Sequence, residues 1–171
     1  MVGFWSVNLD SLEEIMKLSL ILLGLTFFSV SFASASQLKP FKTDYCTNYP
    51  EGRRSEPDLW KHCCLIHDMN FWAGGSKQDR YNSDRDLRRC VEETGAYHQA
   101  RLIYYAVRAG SYSPIKYPDK KWNNGWRERP DFQALTHEDI EAIENELSSG
   151  YDFISTEIKE LFITNLRSRL D

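Results

Sequence analysis

Two adjacent cysteines, Cys63 and Cys64, restrict the fold of this chain more than any other feature of its sequence. A bond between neighbours would close a strained ring, so we expect each to bond a distant cysteine. The chain contains two others, Cys46 and Cys90, and an even number of cysteines favours disulfides in an oxidising compartment. Two pairings remain open: Cys46 bonds one member of the adjacent pair, and Cys90 bonds the other.

The adjacent cysteines lie in a stretch that predicts a helix. No Gly or Pro interrupts the stretch, and a proline between two acids just upstream is typical of a first helical turn. The helix should span about 58–72 and end at the pair of glycines that follows. On that helix Cys63 and His67 share one face, and Cys64 and Asp68 share the neighbouring face. Disulfides would therefore hold a candidate base and a candidate metal ligand rigidly.

The first 35 residues have the pattern of a secretory signal peptide. An apolar run over 18–32 follows Lys17 and precedes 33–35, which form a small-x-small cleavage pattern. The run is short for a membrane span, and an uncleaved anchor helix is the alternative. We expect residues 1–35 to be removed, with Met16 as the true start, and the protein to be exported to the periplasm or the extracellular space.

The charge balance of the remaining chain excludes one class of partner. The leader carries one lysine and three acids, so 20 basic and 22 acidic residues remain, a net charge of −2. Because no basic field remains, we expect no nucleic-acid partner. The length fits one compact domain, and we expect a monomer.

A second, longer helix is predicted over about 78–109, with a bend near Gly95. The short glycine-rich turn before it should make the two helices antiparallel neighbours. Asp84 and Cys90 can then face back towards His67 and the cysteine pair. Asp86 is the rival to Asp84, because it lies four residues before Cys90 and so nearly on the same face.

Helices are also predicted in the C-terminal part of the chain. Thr136 begins a capping-box pattern that opens a helix to about Leu147. Apolar residues spaced at helical intervals over 154–166 predict an amphipathic final helix after Gly150. Apart from a possible short hairpin near 111–126, no strand is predicted, so the fold class is mainly α, and the region 131–171 forms a C-terminal helical extension.

The block Cys63-Cys64-x-x-His67-Asp68, with an Asp six residues before Cys90, resembles the secreted phospholipase A2 superfamily. Tyr45-Cys46 is similar to the edge of the calcium loop of that family. The turn Phe71-Trp72-Ala73-Gly74-Gly75 is closest to the bacterial phospholipase A2-like proteins. The resemblance extends over residues 44–91. It implies a domain over residues 36–130 with two long antiparallel, disulfide-linked helices and a calcium-type loop.

The resemblance also implies an activity, calcium-dependent hydrolysis of the sn-2 ester of glycerophospholipids at a membrane or micelle surface. His67 would activate water, and Asp84 would hold the His67 ring in the required tautomer. Asp68 would bind calcium together with carbonyls of the 45–49 loop. Those carbonyls belong to Tyr45, Thr47 and Tyr49. The same resemblance selects the disulfide pairs Cys46–Cys64 and Cys63–Cys90.

Two departures from the family bear on these expectations. The calcium loop has Thr47-Asn48-Tyr49-Pro50 where the family has glycines. Phe71 stands in the place of a tyrosine that supports the aspartate, so Tyr81, Tyr97 or a water would have to replace the missing hydroxyl. The alternative function is a phospholipase A2-like scaffold without efficient turnover that binds a lipid or a protein.

A zinc site is a separate alternative, because His62 lies beside the two cysteines. Adjacent cysteines match the usual C-x2-4-C spacing of zinc ligands poorly. An oxidising compartment also works against free thiolates. We therefore expect calcium and not zinc as the metal.

Overall fold

The computed structural model describes residues 38–111 and 121–170, so the predicted signal peptide lies outside the described residues. The described chain is mainly α-helical, as expected, and its only β-type pairing consists of isolated bridges. Five helices follow one another in these residues: α1 Lys61–Ala73, α2 Lys77–Glu93, α3 Tyr97–Ser111, α4 His137–Ser148 and α5 Thr156–Arg167. None of the helices in this part of the chain is long and apolar enough to cross a lipid bilayer.

Helix α1 begins three residues later than predicted, at Lys61 and not at residue 58. Its N-cap residue is Trp60, whose side chain is buried and whose indole N–H donates to the carbonyl of Pro50 at 2.7 Å. The backbone N–H of Trp60 donates to the carbonyl of Glu51 at 2.9 Å. Trp60 itself is held in the core by burial and by these two hydrogen bonds, while residues 53–58 before it stay exposed. That tertiary contact outweighs the local preference of the Pro-Asp pair for a helical turn.

The predicted single helix over 78–109 is in fact two helices, α2 and α3. The break falls at Gly95, whose φ of +76° is a left-handed conformation that glycine adopts without steric cost. Arg88 of α2 lies against the ring of Tyr104 of α3, at 5.8 Å from its centroid. Asp84, one turn earlier on α2, meets Arg108, one turn later on α3. The two helices therefore form an antiparallel hairpin.

Both disulfides implied by the resemblance are present. Cys46 bonds Cys64, with Cα atoms 5.1 Å apart, and Cys63 bonds Cys90, with Cα atoms 5.7 Å apart. The second bond joins the start of α1 to the end of α2, so these two helices are also antiparallel. The first bond attaches the 45–49 loop to the neighbouring face of α1.

Two groups of buried side chains lie on different faces of α1. The cluster toward α2 and α3 contains Trp60, Cys63, Cys64, Leu87, Val91, Ala96, Ala100 and Ile103. The other cluster joins α1 to α4, α5 and the chain around residues 38–41, and it contains Leu38, Phe41, Leu65, Met69, Trp72, Ala73, Leu135, Ile140, Ile143, Leu147, Ile154, Phe162, Ile163 and Leu166. The C-terminal helices thus complete the apolar core on one side of α1.

Each C-terminal helix begins at a capping residue, because side-chain oxygens can accept from the free N–H groups of a first turn. Thr136 accepts from the backbone N–H of Asp139, and the Asp139 side chain accepts from the backbone of Thr136, as the sequence predicted. Ser155 caps α5 by accepting from the backbone N–H of Ile158. Local sequence therefore sets where both helices begin.

Candidate functional site

The centre of the candidate site is a contact between α1 and α2. His67 Nε2 lies 2.9 Å from Asp84 Oδ1. The Asp84 side chain is completely buried, whereas that of His67 keeps 10% of its surface exposed. The predicted rival, Asp86, lies at the surface and pairs with Arg89 at 2.7 Å. The structure therefore brings His67 together with Asp84, as expected, and not with Asp86.

Arg108 binds the other oxygen of Asp84, a contact that the sequence interpretation missed. Its Nη1 donates to Asp84 Oδ2 at 2.8 Å. From the sequence, Tyr81, Tyr97 or a water was expected to be this second partner of Asp84. Tyr97 is strongly exposed, and the ring of Tyr81 instead faces the Arg108 guanidinium at 5.2 Å from the ring centroid. An arginine from α3 thus provides the support that the sequence analysis expected from a tyrosine hydroxyl or a water.

These contacts determine the protonation of Asp84. Burial alone raises the pKa of its carboxyl, but the hydrogen bonds and charges of His67 and Arg108 outweigh burial and hold the pKa below its ordinary value. Asp84 is therefore an anion at neutral pH and can only accept hydrogen bonds. A neutral His67 must then carry its proton on Nε2, which leaves Nδ1 with a lone pair. That is the tautomer a general base requires.

Phe71 forms an apolar wall on one side of His67. Its ring centroid is 4.5 Å from that of His67 and 5.1 Å from that of Trp122, which meets it edge-on. The indole N–H of Trp122 donates to the carbonyl of Gly75 at 2.9 Å, just beyond the end of α1. Aromatic packing therefore restricts the orientation of the His67 ring, although the Phe71 side chain offers no hydrogen bond.

The predicted metal ligand, Asp68, faces the loop that precedes α1. Thr43 Oγ1 donates to Asp68 Oδ2 at 2.6 Å, and the same hydroxyl accepts from the backbone N–H of Tyr45 at 2.9 Å. The predicted loop and the predicted carboxylate ligand are thus joined by one side chain, Thr43. The sequence interpretation did not include Thr43, because a single threonine in a loop has no distinguishing local pattern.

The backbone of this loop turns sharply at residues that are not glycines. Tyr45, Thr47 and Asn48 have φ values of 56°, 36° and 60°, in the left-handed region that side chains other than glycine rarely enter. The Cys46–Cys64 disulfide holds this segment, and Thr47 Oγ1 also donates to Asp44 Oδ1 at 2.9 Å. Side-chain and covalent bonds thus hold a backbone conformation that is unfavourable for these residue types.

The cysteines cannot provide a zinc site. His62, Cys63 and Cys90 are the one group in residues 38–111 and 121–170 whose His, Cys and carboxylate atoms lie close enough together to share a metal. Both sulfurs are consumed by the Cys63–Cys90 disulfide, so no thiolate is available there. The expectation that His62 and the cysteines are not zinc ligands is consistent with this bonding.

A cleft of about 390 Å³ lies beside His67, between α1, α2 and α5. Residues of both charges line it, including Asp79, Asp86 and Arg169. Asp68 is not among its lining residues, because that side chain faces Thr43 and the loop. The cleft and the candidate metal site are therefore different places on the surface of α1.

The described site thus contains a His–Asp–Arg chain with a buried aspartate at its centre and, one residue along α1 from His67, a carboxylate that faces the loop before the helix. No protein-family model, no curated protein and no solved structure matches this protein.

Proposed function

We propose that this protein is a calcium-dependent esterase that hydrolyses the sn-2 ester of glycerophospholipids. One observation carries the proposal: His67, which lies 2.9 Å from the buried Asp84, is followed in α1 by Asp68, whose carboxylate accepts from Thr43 just before the 45–49 loop. A base and an acidic metal ligand on consecutive residues of one helix suit metal-assisted hydrolysis of an ester. The resemblance of Cys63-Cys64-x-x-His67-Asp68 to phospholipase A2 supplies the substrate class.

The His67–Asp84–Arg108 chain provides the general base. His67 Nδ1 takes a proton from a water molecule, while Nε2–H remains bound to Asp84. The negative charge of Asp84 stabilises the imidazolium that forms at this moment. Arg108 and burial keep Asp84 from changing its position, so the ring stays in one orientation through the reaction.

The residues of the loop fit a calcium ion. Calcium binds hard oxygen ligands, and the candidate set consists of the Asp68 carboxylate with the carbonyls of Tyr45, Thr47 and Tyr49. Thr43 holds one Asp68 oxygen towards the loop at 2.6 Å, and the Cys46–Cys64 disulfide fixes the loop to α1 one turn before Asp68. A bound calcium ion would polarise the ester carbonyl and stabilise the negative charge that develops on its oxygen.

The crosslinks support the proposed place of action. All four cysteines of the chain are in disulfides, and such bonds persist in oxidising compartments. We therefore propose that the protein is exported to the periplasm or the extracellular space, and that it meets its substrate at a membrane or micelle surface. Two native crosslinks also suit a secreted hydrolase that must remain folded outside the cell.

The test is the release of fatty acid from mixed phospholipid vesicles by the mature protein, with calcium or with a chelator. We expect calcium-dependent release that His67→Gln abolishes. The matched control is His62→Gln, which changes an exposed histidine on the same helix and should leave the release unchanged.

Two results would contradict the proposal. Release that continues in His67→Gln would show that this histidine is not the base. No release from any vesicle, together with vesicle binding that does not need calcium, would favour the alternative of a lipid-binding scaffold without turnover.

A further inference from the structure

We propose that Arg108 is a positioning residue for the candidate base, which fixes His67 from the far side of Asp84 and makes α3 part of the site. The inference rests on the proposed function, because it concerns the same histidine. It is carried by a chain of two contacts, from Arg108 Nη1 to Asp84 Oδ2 at 2.8 Å and from Asp84 Oδ1 to His67 Nε2 at 2.9 Å.

Complete burial of Asp84 makes its contact with Arg108 necessary. Bulk water does not reach the Asp84 side chain, so each of its oxygens depends on donors of the protein. His67 supplies one donor to Oδ1. A carboxylate held at only one oxygen could rotate about its last side-chain bond, whereas a donor on each oxygen fixes the plane of the group.

The position of Arg108 is itself fixed on two sides. Its guanidinium lies 5.2 Å from the centroid of the Tyr81 ring, in the geometry of a cation–π contact, and it donates to Asp84 from the same location. Tyr81 and Asp84 are three residues apart on α2, so both partners of Arg108 belong to one face of that helix. The side chain of Arg108 is 24% exposed, so about three quarters of its surface is withdrawn from water.

The chemistry of arginine explains why this residue suits the place. The guanidinium stays protonated at every relevant pH and donates in a fixed plane. A tyrosine hydroxyl can donate or accept, so it specifies the direction of the bond less strictly. With Arg108 in place, Oδ2 always accepts, Asp84 remains an anion, and the proton of neutral His67 stays on Nε2.

The contact between Arg108 and Asp84 makes α3 part of the candidate site. Helix α3 has no disulfide of its own among the described residues, since both bonds join α1 to the loop or to α2. Arg108 provides a direct polar link from α3 to the site. Removal of that link should leave the crosslinked α1–α2 pair folded while the His67 ring loses its single orientation.

The test compares Arg108→Met and Arg108→Lys with the wild type, in the full mature chain. Arg101→Met is the matched control, because Arg101 is an exposed arginine on the same helix. The first readout is the tautomer of His67, measured by ¹⁵N NMR without lipid or metal at a pH where the ring is neutral. The second is the pair kcat and KM for phospholipid hydrolysis.

We expect the wild type and Arg101→Met to show the Nε2–H tautomer alone, and Arg108→Met to show a mixture of both tautomers. In hydrolysis, Arg108→Met should lower kcat about 10- to 100-fold with little change in KM, the effect of one lost hydrogen bond to a charged group. Arg108→Lys should recover part of this loss, since it restores a positive charge without the planar fork.

The NMR readout separates this inference from the proposed function. An Arg108→Met protein that keeps the wild-type tautomer overturns the inference, whether or not the protein hydrolyses lipids. A wild type without hydrolytic activity but with a tautomer change in Arg108→Met refutes the esterase and supports the positioning role. Equal loss of kcat in Arg108→Met and Arg101→Met would also overturn the inference, because it would show a general effect of changing α3.

Discussion

The two faces of α1 are stabilised by different means. On the face toward α2 and α3, the Cys63–Cys90 disulfide and the buried Asp84 carboxylate, with its partners His67 and Arg108, connect the helix to its neighbours. The Cys46–Cys64 disulfide attaches the loop beside this face. On the face toward α4 and α5, the core consists of apolar side chains such as Met69, Ile143 and Leu166, all completely buried, and Arg169 at its edge donates to Asn70 Oδ1. The candidate base belongs to the first face, whereas the candidate metal ligand, Asp68, faces the loop that precedes α1.

The difference has a physical reason. Buried charged groups such as Asp84 contribute little net stability, because the loss of hydration offsets the gain from their partners. A face that contains them needs another source of stability, and covalent crosslinks supply it without adding apolar surface to the site. The apolar face can then supply hydrophobic stabilisation of about 25 cal/mol per Å² buried, away from the polar groups.

The largest effect is expected from Asp84→Asn, which tests the charged face directly. An amide at this position can donate to His67 Nε2 and so favours the wrong tautomer. The same change in a Ser-His-Asp triad lowers kcat by about 10⁴, and we expect a loss of similar order here, measured as fatty-acid release. Asp86→Asn, at a surface residue on the same helix, is the control and should keep full activity. Loss of activity in both variants would contradict the assignment.

The next largest effect concerns the crosslinks. Replacement of Cys63 and Cys90 by alanine should lower the free energy of unfolding by about 3.5 kcal/mol, and replacement of Cys46 and Cys64 by about 3 kcal/mol, on the chain-entropy scale. Urea unfolding measures both. We also expect the second pair of changes to weaken calcium binding more than the first, because Cys46 lies in the loop. If both double variants weaken calcium binding equally, the disulfides act on the site only by stabilising the fold as a whole.

A smaller effect is expected on the apolar face. Ile143→Val removes one methylene group from a fully buried site and should cost about 1 kcal/mol of stability. Because Ile143 does not contact the charged face, kcat should stay at the wild-type value at temperatures where the variant is folded. A lower kcat for the folded variant would show that the two faces of α1 do not act independently.

The smallest expected effects are changes in the free energy of unfolding with pH, which run in opposite directions on the two faces of α1. The pKa of Asp84 is below its ordinary value, so its stabilising contribution is present above the unfolded pKa of about 4 and is lost as pH falls through the folded value. Tyr151, which packs against the apolar cluster, behaves in the opposite way. Burial and a hydrogen bond to Glu146 raise its pKa to about 12, so its contribution is complete below pH 10 and is lost between about 10 and 12.

Urea unfolding across pH, with the disulfides intact, measures these contributions. The difference in stability between the wild type and Tyr151→Phe should shrink as pH rises above about 10. The difference between the wild type and Asp84→Asn should shrink as the solution is made acidic. If the Tyr151→Phe difference stays constant up to pH 12, its hydroxyl is not held neutral by the fold.

The parts of the site predicted from sequence are those separated by short, regular spacings. Cys63 and His67 are one helical turn apart, so their shared face followed from helical geometry. Helical geometry alone left Asp86 as a rival to Asp84 and left two disulfide pairings open. The resemblance to phospholipase A2 selected Asp84 and the Cys63–Cys90 bond, which joins the start of α1 to the end of α2.

Arg108 could not be predicted in this way, because its position depends on one backbone angle. In an uninterrupted helix over 78–109, Arg108 would lie about 36 Å from Asp84, at 1.5 Å per residue. The left-handed turn at Gly95 folds α3 back along α2 and brings Arg108 Nη1 to 2.8 Å from Asp84 Oδ2. Thr43 was missed for a similar reason, since only the folded loop shows which carboxylate its hydroxyl binds.

The adjacency of Cys63 and Cys64 also has a consequence for how the protein acquires its crosslinks. In an unfolded chain Cys46 can reach either neighbour with almost equal ease, since the two loop lengths differ by one residue. Only a formed α1 turns one sulfur toward the loop and the other toward α2. The order of oxidative folding is therefore constrained: the helix must form before the correct bond becomes the preferred one. A chain oxidised before this helix has formed should form Cys46–Cys63 about as readily as Cys46–Cys64, and the mispaired fraction then depends on thiol exchange to recover.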